Sequence, residues 1–240
     1  MNHSKMTPPG LQYKRMRMPI TKYGLPQVVL YPAVLLVLMT VLFIFLPATV
    51  WLGLAEVFIF VVFVWMLMFF RDPPRKIPLD RLALLSPADG TITRIEETEV
   101  SELGGKALCI GMFLSIYNVH INRMPCAVRV ESVTYKKGKF KNAKSGESCC
   151  VNESNEALLT RLDEPGDKLL VRQVSGAVAR RIVCEAKPGQ EYSQGAAFGM
   201  IKFGSRTELY LPLREGKYDI AVKIGDRVNA GLSPLIVYKL

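Results

Sequence analysis

The stretch Gly199–Pro212, GMIKFGSRTELYLP, decides how the chain is read and poses its chemical question. Met200, Ile201 and Phe203 precede a Gly204-Ser205 pair, and Leu209, Tyr210 and Leu211 follow it, so strand formers flank a glycine. Glycine weakens a strand interior because it packs no side chain and loses much entropy. Inside such a run it marks a β-bulge, a bend or a close backbone approach. The same texture extends through residues 81–240, in GTITRIEE, ALCIGMFLSIY, AVRVESVTY, KLLVRQVSG, RRIVCEA, YDIAVKIGDRV and PLIVYKL, with Gly, Pro, Asn or Asp between the runs. These runs predict a mainly β domain, an antiparallel sandwich or barrel-like fold. NESNEALLTRL, Asn152–Leu162, is the one stretch that reads as helix.

Before residue 71 the composition is different. Val28–Leu46 carries no charge, and Val50–Phe70 carries only Glu56. As helices these runs are about 28 and about 31 Å long, close to the hydrocarbon thickness of a bilayer. Only Pro47, Ala48 and Thr49 separate them, so residues 28–70 read as a hydrophobic helical hairpin with its tip at Leu46–Thr49. Pro32 and Glu56 leave both a spanning and a re-entrant hairpin open. A cleaved signal peptide does not fit, since the first apolar run starts late and a second follows at once. Lys5, Lys14, Arg15, Arg17 and Lys22 lie in a basic tail, residues 1–27; Arg71, Arg75 and Lys76 follow the hairpin, and the tip has no cation. The positive-inside rule then places the protein at the cytoplasmic face of a membrane. RDPPRKIPLD, residues 71–80, is a Pro-rich linker.

The net charge of +10, from 31 Lys+Arg against 21 Asp+Glu, calls for an anionic partner. Beside a membrane anchor that partner is a lipid surface rather than nucleic acid, at on the order of 1 kcal/mol per juxtamembrane cation. Lys136, Lys137, Lys139, Lys141 and Lys144 either extend that contact or form a solvated loop. Cys109, Cys126, Cys149, Cys150 and Cys184 lack metal-ligand spacing and read as reduced thiols, so no metal is expected.

His3 lies in the tail, and His120, in FLSIYNVHINRMPCAV, is the only other histidine. It falls at a strand end or in the following loop, and it is either structural or the domain's one imidazole for proton transfer near neutral pH. Asp89 lies in LLSPADGTITRI, where Asp-Gly also reads as a simple turn. Ser205, His120 and Asp89 supply the residue types of a nucleophile, base and orienter, although spacing alone does not bring them together. A serine-hydrolase elbow is excluded, because it requires glycine two positions on each side of the serine, where Phe203 and Thr207 stand. A Gly-Ser bond in a bent strand admits a different reaction. The Ser205 hydroxyl attacks the Gly204 carbonyl, the amide becomes an ester by N→O acyl shift, and β-elimination with loss of ammonia leaves a pyruvoyl group.

From Phe69 to the carboxyl terminus the sequence resembles the phosphatidylserine decarboxylase family, particularly its shorter, membrane-anchored bacterial and archaeal members. FFRDPPR, SPADG, FLSIYNVHINRMP, VARRIV and FGSRTELYLP carry the likeness in that order, behind a membrane segment. The resemblance implies a membrane-bound proenzyme that cleaves itself between Gly204 and Ser205. It further implies that a pyruvoyl group derived from Ser205, without a metal, decarboxylates phosphatidylserine to phosphatidylethanolamine. Carried over, Asp89 looks like the triad aspartate, His120 matches a family histidine and Ser205 matches the pyruvoyl precursor. Arg123 stands where the longer enzymes have a second histidine, Ile116 and Asn118 replace their Pro and Asp, and Phe203 and Arg206 flank the cleavage pair differently. Arg123, Asn122, Asn118, Arg180 and Arg181 are candidates for substrate binding. The implied partners are the membrane and its phospholipid. The two fragments are expected to stay associated, and oligomerisation is left open.

Two alternatives stand beside this reading. One is an ether-linked archaetidylserine substrate. The other is a non-catalytic, membrane-tethered β module, because VKIGDRVNAGLSPLI and SPADGTITRI look like the turn-rich strands of lipoyl and biotinyl domains. The chain lacks the Glu-x-Met-Lys-Met lysine that such a carrier uses.

Overall fold

The computed structural model describes residues 20–45, 50–138, 151–176, 181–202 and 205–239. Two apolar helices come first, α1 (Leu25–Phe45) and α2 (Val50–Phe69). Both are apolar on all sides, and each is long and apolar enough to cross a membrane. Large side chains stand uncovered along them, with Phe45 77% and Trp51 81% exposed. So much continuous apolar surface is stable only against lipid or a partner. The expected tip at Leu46–Thr49 and residues 1–19 of the basic tail lie outside the described residues.

The base of the hairpin is fastened to the β portion. Tyr23, Val28, Phe69 and Phe70 form an apolar cluster with Met200. The Thr21 N–H donates to the Phe70 carbonyl at 2.8 Å. Gly24 permits this approach, since a Cβ there would meet the Phe70 ring at 2.2 Å.

Fourteen strands follow among the described residues: β1 (Ala83–Leu85), β2 (Gly90–Val100), β3 (Gly105–Leu114), β4 (Ile121–Arg123), β5 (Val128–Lys136), β6 (Ser154–Arg161), β7 (Lys168–Ser175), β8 (Arg181–Cys184), β9 (Glu191–Tyr192), β10 (Ala197–Lys202), β11 (Ser205–Pro212), β12 (Tyr218–Ile220), β13 (Arg227–Val228) and β14 (Pro234–Tyr238). They form three antiparallel sheets, in the orders β13-β2-β3-β11-β7-β6-β5-β9, β4-β10-β8 and β1-β14-β12. The mainly β, antiparallel expectation holds, and the sheets remain open rather than closing into a barrel.

Leu108, Ile110, Met112 and Leu114 of β3 and Leu209 and Leu211 of β11 point into the main core. Cys109 and Tyr210, one residue out of phase, pack in a smaller cluster on the opposite face. Burial on both faces explains why β3 reads as a nearly unbroken apolar run. On that second face Glu208, fully buried, accepts a hydrogen bond from Tyr210 at 2.6 Å with Arg94, Arg172 and Arg206 around it.

Two expectations are corrected here. Residues 152–162 do not form a helix: Ser154–Arg161 is β6, paired with β5 and β7. Ala157 and Leu159 enter the main core while Ser154, Asn155 and Glu156 are buried too, so tertiary packing overrides the helical look of the sequence. GMIKFGSRTELYLP is also not one bulged strand, because β10 and β11 belong to different sheets. Phe203 and Gly204, between them, lie outside the described residues.

Candidate active site

Ser205 opens β11, which runs through the interior of the largest sheet between β3 and β7. Its cross-strand neighbours are Leu114 and Ser175, and its side chain shares the core-facing side with Thr207 and Leu209. Ser205 is fully buried, and its Oγ has no hydrogen-bond partner; the same is true of Ser175 Oγ beside it.

His120 immediately precedes β4 and is also fully buried. Its ring lies against Phe69, with centroids 4.4 Å apart, so the last residue of α2 covers the imidazole. Nδ1 is 2.9 Å from the Asn118 carbonyl, which only accepts, so Nδ1 carries the proton in the neutral ring. Nε2 is then the free lone pair, and it is buried without a partner. Burial lowers the His120 pKa to about 4, against the Asn118 hydrogen bond and the nearby Asp89 charge; the Arg71 charge lowers it further.

The two groups are linked through the residues two positions away, Asn122 and Thr207. The Asn122 amide donates to Thr207 Oγ1 at 2.9 Å, while its backbone pairs with Gly199 of β10. Two residues further along β10, the Ile201 N–H donates to the His120 carbonyl at 3.2 Å. The corresponding step from Thr207 along β11 leads to Ser205.

Asp89 is 5% exposed and does not hydrogen-bond His120; instead it meets the linker. Arg75 donates to both its oxygens at 2.6 and 2.8 Å, and the Ala230 N–H donates to Oδ1 at 2.7 Å. Within the expected trio, orientation of the imidazole therefore falls to the Asn118 carbonyl, with Asp89 acting on the ring through its field. Gly90, read as half of a turn, serves close approach: a Cβ there would meet the Phe113 carbonyl at 2.4 Å.

The residues expected to hold substrate are placed differently. Arg123 is buried and donates to Asp72 at 2.6 Å and to the Gly195 carbonyl at 3.1 Å. Asn122 is fully buried, accepting from Gln173 at 2.8 Å and donating to Thr207. Asn118 closes a local turn by accepting from the Ser115 N–H and hydroxyl at 2.9 and 2.8 Å. Arg181 is exposed on β8 opposite Lys202, and Arg180 and Gly204 lie outside the described residues. Sequence reasoning passed over four residues gathered at the site: Phe69 on the imidazole, Arg71 near it, Arg75 on Asp89, and Lys202, buried beneath the Phe70 ring at 5.7 Å. The signal was FFRDPPR itself, since an aromatic pair followed by alternating charge and prolines is unusual for a mere spacer. No group of three or more metal-ligating side chains occurs among the described residues.

The family model described as phosphatidylserine decarboxylase matches residues 62–235. A Desulfotalea psychrophila protein is 43% identical over 69% of this chain and 75% of its own length. For a Carboxydothermus hydrogenoformans protein the figures are 42%, 76% and 83%, and for one from Rhodopirellula baltica 38%, 94% and 90%. All three are named phosphatidylserine decarboxylase proenzyme.

Proposed function

The chain belongs to the phosphatidylserine decarboxylase family, and on that premise we propose that it is made as a proenzyme and cuts itself between Gly204 and Ser205. It then releases the carboxylate of phosphatidylserine as CO2, leaving phosphatidylethanolamine. One observation carries the assignment of residues: two fully buried polar atoms, His120 Nε2 and Ser205 Oγ, each lack a partner, and each is what the other lacks. Leaving such atoms unpaired costs about 1–3 kcal/mol apiece, a cost that fits groups kept for chemistry.

The Asn118 carbonyl holds the Nδ1 proton, so Nε2 accepts the proton of the Ser205 hydroxyl. Oγ bonds to the Gly204 carbonyl carbon, the carbon–nitrogen bond breaks, and the amine leaves with a proton. His120 next removes the α-proton of residue 205 while the Gly204 carboxylate departs from the β-carbon. Water replaces the nitrogen, ammonia leaves, and the pyruvoyl carbonyl remains. Ser205 fits that fate, since its buried Oγ makes no structural bond that its consumption would break. Once formed, the pyruvoyl group supplies an electron sink for the departing carboxylate without a metal. Burial keeps His120 neutral near pH 7, and an anionic headgroup beside it favours the protonated form, so proton delivery to the substrate carbon follows binding.

Residues 28–70 serve as the membrane anchor and residues 81–240 as the catalytic unit, on the cytoplasmic side given by the basic flanks. The fragments 1–204 and 205–240 stay together, a reading supported by β11 pairing with both β3 and β7 and by β14 pairing with β1. Intact-mass analysis tests the whole: wild type gives both fragments, the smaller with a blocked amino terminus, while Ser205→Ala and His120→Ala stay whole. Equal, uncut masses throughout would refute self-maturation. CO2 release from ester and ether serine lipids identifies the substrate.

A further inference from the structure

A phospholipid substrate carries a phosphodiester that must be held beside the imidazole, and two of the four cations gathered at the site are already neutralised. Arg123 is paired with Asp72 and Arg75 with Asp89, each pair largely buried. Arg71 is different. Among the described residues it forms no ion pair; its Nη1 and Nη2 donate to the Met68 and Tyr117 carbonyls, each at 2.7 Å. Those two bonds fix the plane of the guanidinium, and further N–H donors remain for an anion.

Its position suits a lipid phosphate. Arg71 lies two residues beyond the end of α2, an apolar helix of 20 residues, which is the depth at which phosphates meet the hydrocarbon. Beside it opens an apolar cavity of about 180 Å³ lined by Val61, Val64, Trp65, Met68, Ile116 and Tyr117. Phe69 closes the cavity and carries the catalytic imidazole on its ring. The cavity continues the exposed apolar surface of α2, so a lipid reaches it without its chains crossing water.

Taking the decarboxylation above as given, we propose that Arg71 binds the phosphodiester of the substrate, with the glycerol and first chain methylenes in the adjoining cavity. The consequence for chemistry is direct: a phosphate on Arg71 neutralises a charge that opposes protonation of His120, so substrate binding itself arms the proton donor.

The test uses full-length enzyme in detergent, dihexanoyl phosphatidylserine as substrate and glycerophosphoethanolamine as competitive inhibitor. The inhibitor keeps the phosphodiester and lacks both the carboxylate and the chains. Arg71→Gln is expected to self-cleave normally, to raise KM and the inhibition constant together by about 10- to 100-fold, and to change kcat by less than about threefold. Arg71→Lys should recover most of the loss, whereas Trp65→Ala should raise KM for the diacyl substrate alone. An unchanged inhibition constant in Arg71→Gln would overturn the assignment, as would failure of that variant to self-cleave. So would a rise in the inhibition constant on Lys202→Gln in its place. If wild type neither cuts itself nor releases CO2, it is the decarboxylase reading that has failed.

Discussion

Replacing Arg75 by methionine tests whether the linker is a structural part of the site. The guanidinium makes a two-pronged pair with Asp89 and also donates to the Ala230 carbonyl at 2.6 Å, with both side chains 7% exposed. Removing it leaves the Asp89 carboxylate buried with only the Ala230 N–H, and breaking a buried pair from one side costs about 3–5 kcal/mol. For a domain of this size that corresponds to a fall in Tm of roughly 6–20 °C. The measurement belongs in the Ser205→Ala background, where every molecule is a single uncut chain, using thermal unfolding in detergent. Arg75→Met/Asp89→Leu should regain much of the loss, because no unpaired charge is left. A Tm for Arg75→Met within about 1 °C of its parent would refute the reasoning and return the linker to the status of a spacer.

Acid should weaken the fold through His120. The unfolded imidazole binds its proton near pH 6.5 and the folded one only near 4, so stability is complete above pH 6.5 and declines as pH falls through that window. The loss reaches about 3 kcal/mol, and comparison of Ser205→Ala with Ser205→Ala/His120→Asn should isolate it; parallel pH curves would refute it. Phe69→Ala should admit water to the ring and move its pKa back toward 6.5. The acidic limb of self-cleavage, read as fragment yield across pH, should then shift upward by one to two pH units, and an unmoved limb would show that the stacked ring is not what keeps His120 neutral.

The large features were legible because they rest on local chemistry. Two apolar helices with Glu56 as their one charge, and strands bounded by Gly, Pro, Asn and Asp, need no long-range knowledge; the lone domain histidine stands out by scarcity, and Ser205 by the glycine before it inside a run of strand formers. What was hidden depends on contacts between distant segments. Arg123 looks like a phosphate ligand until Asp72 is found beside it, and Asn122 until it is seen bridging Gln173 and Thr207. β6 was obscured because its polar residues are buried by neighbours rather than by water, which erases the alternation that marks a strand. β1, β4 and β9 are two or three residues long and carry almost no periodic signal.

β10 and β11 pair in different sheets, so the proposed cut between them would part no ladder that the two strands share. Covalent continuity and structural continuity are thereby uncoupled. On the proposed maturation the new end is Ser205, a residue already held between β3 and β7, so the reactive carbonyl would arise inside a frame assembled before it. Maturation of that kind would resemble releasing a pin from a finished joint: irreversible in its bonds, yet asking little of the fold.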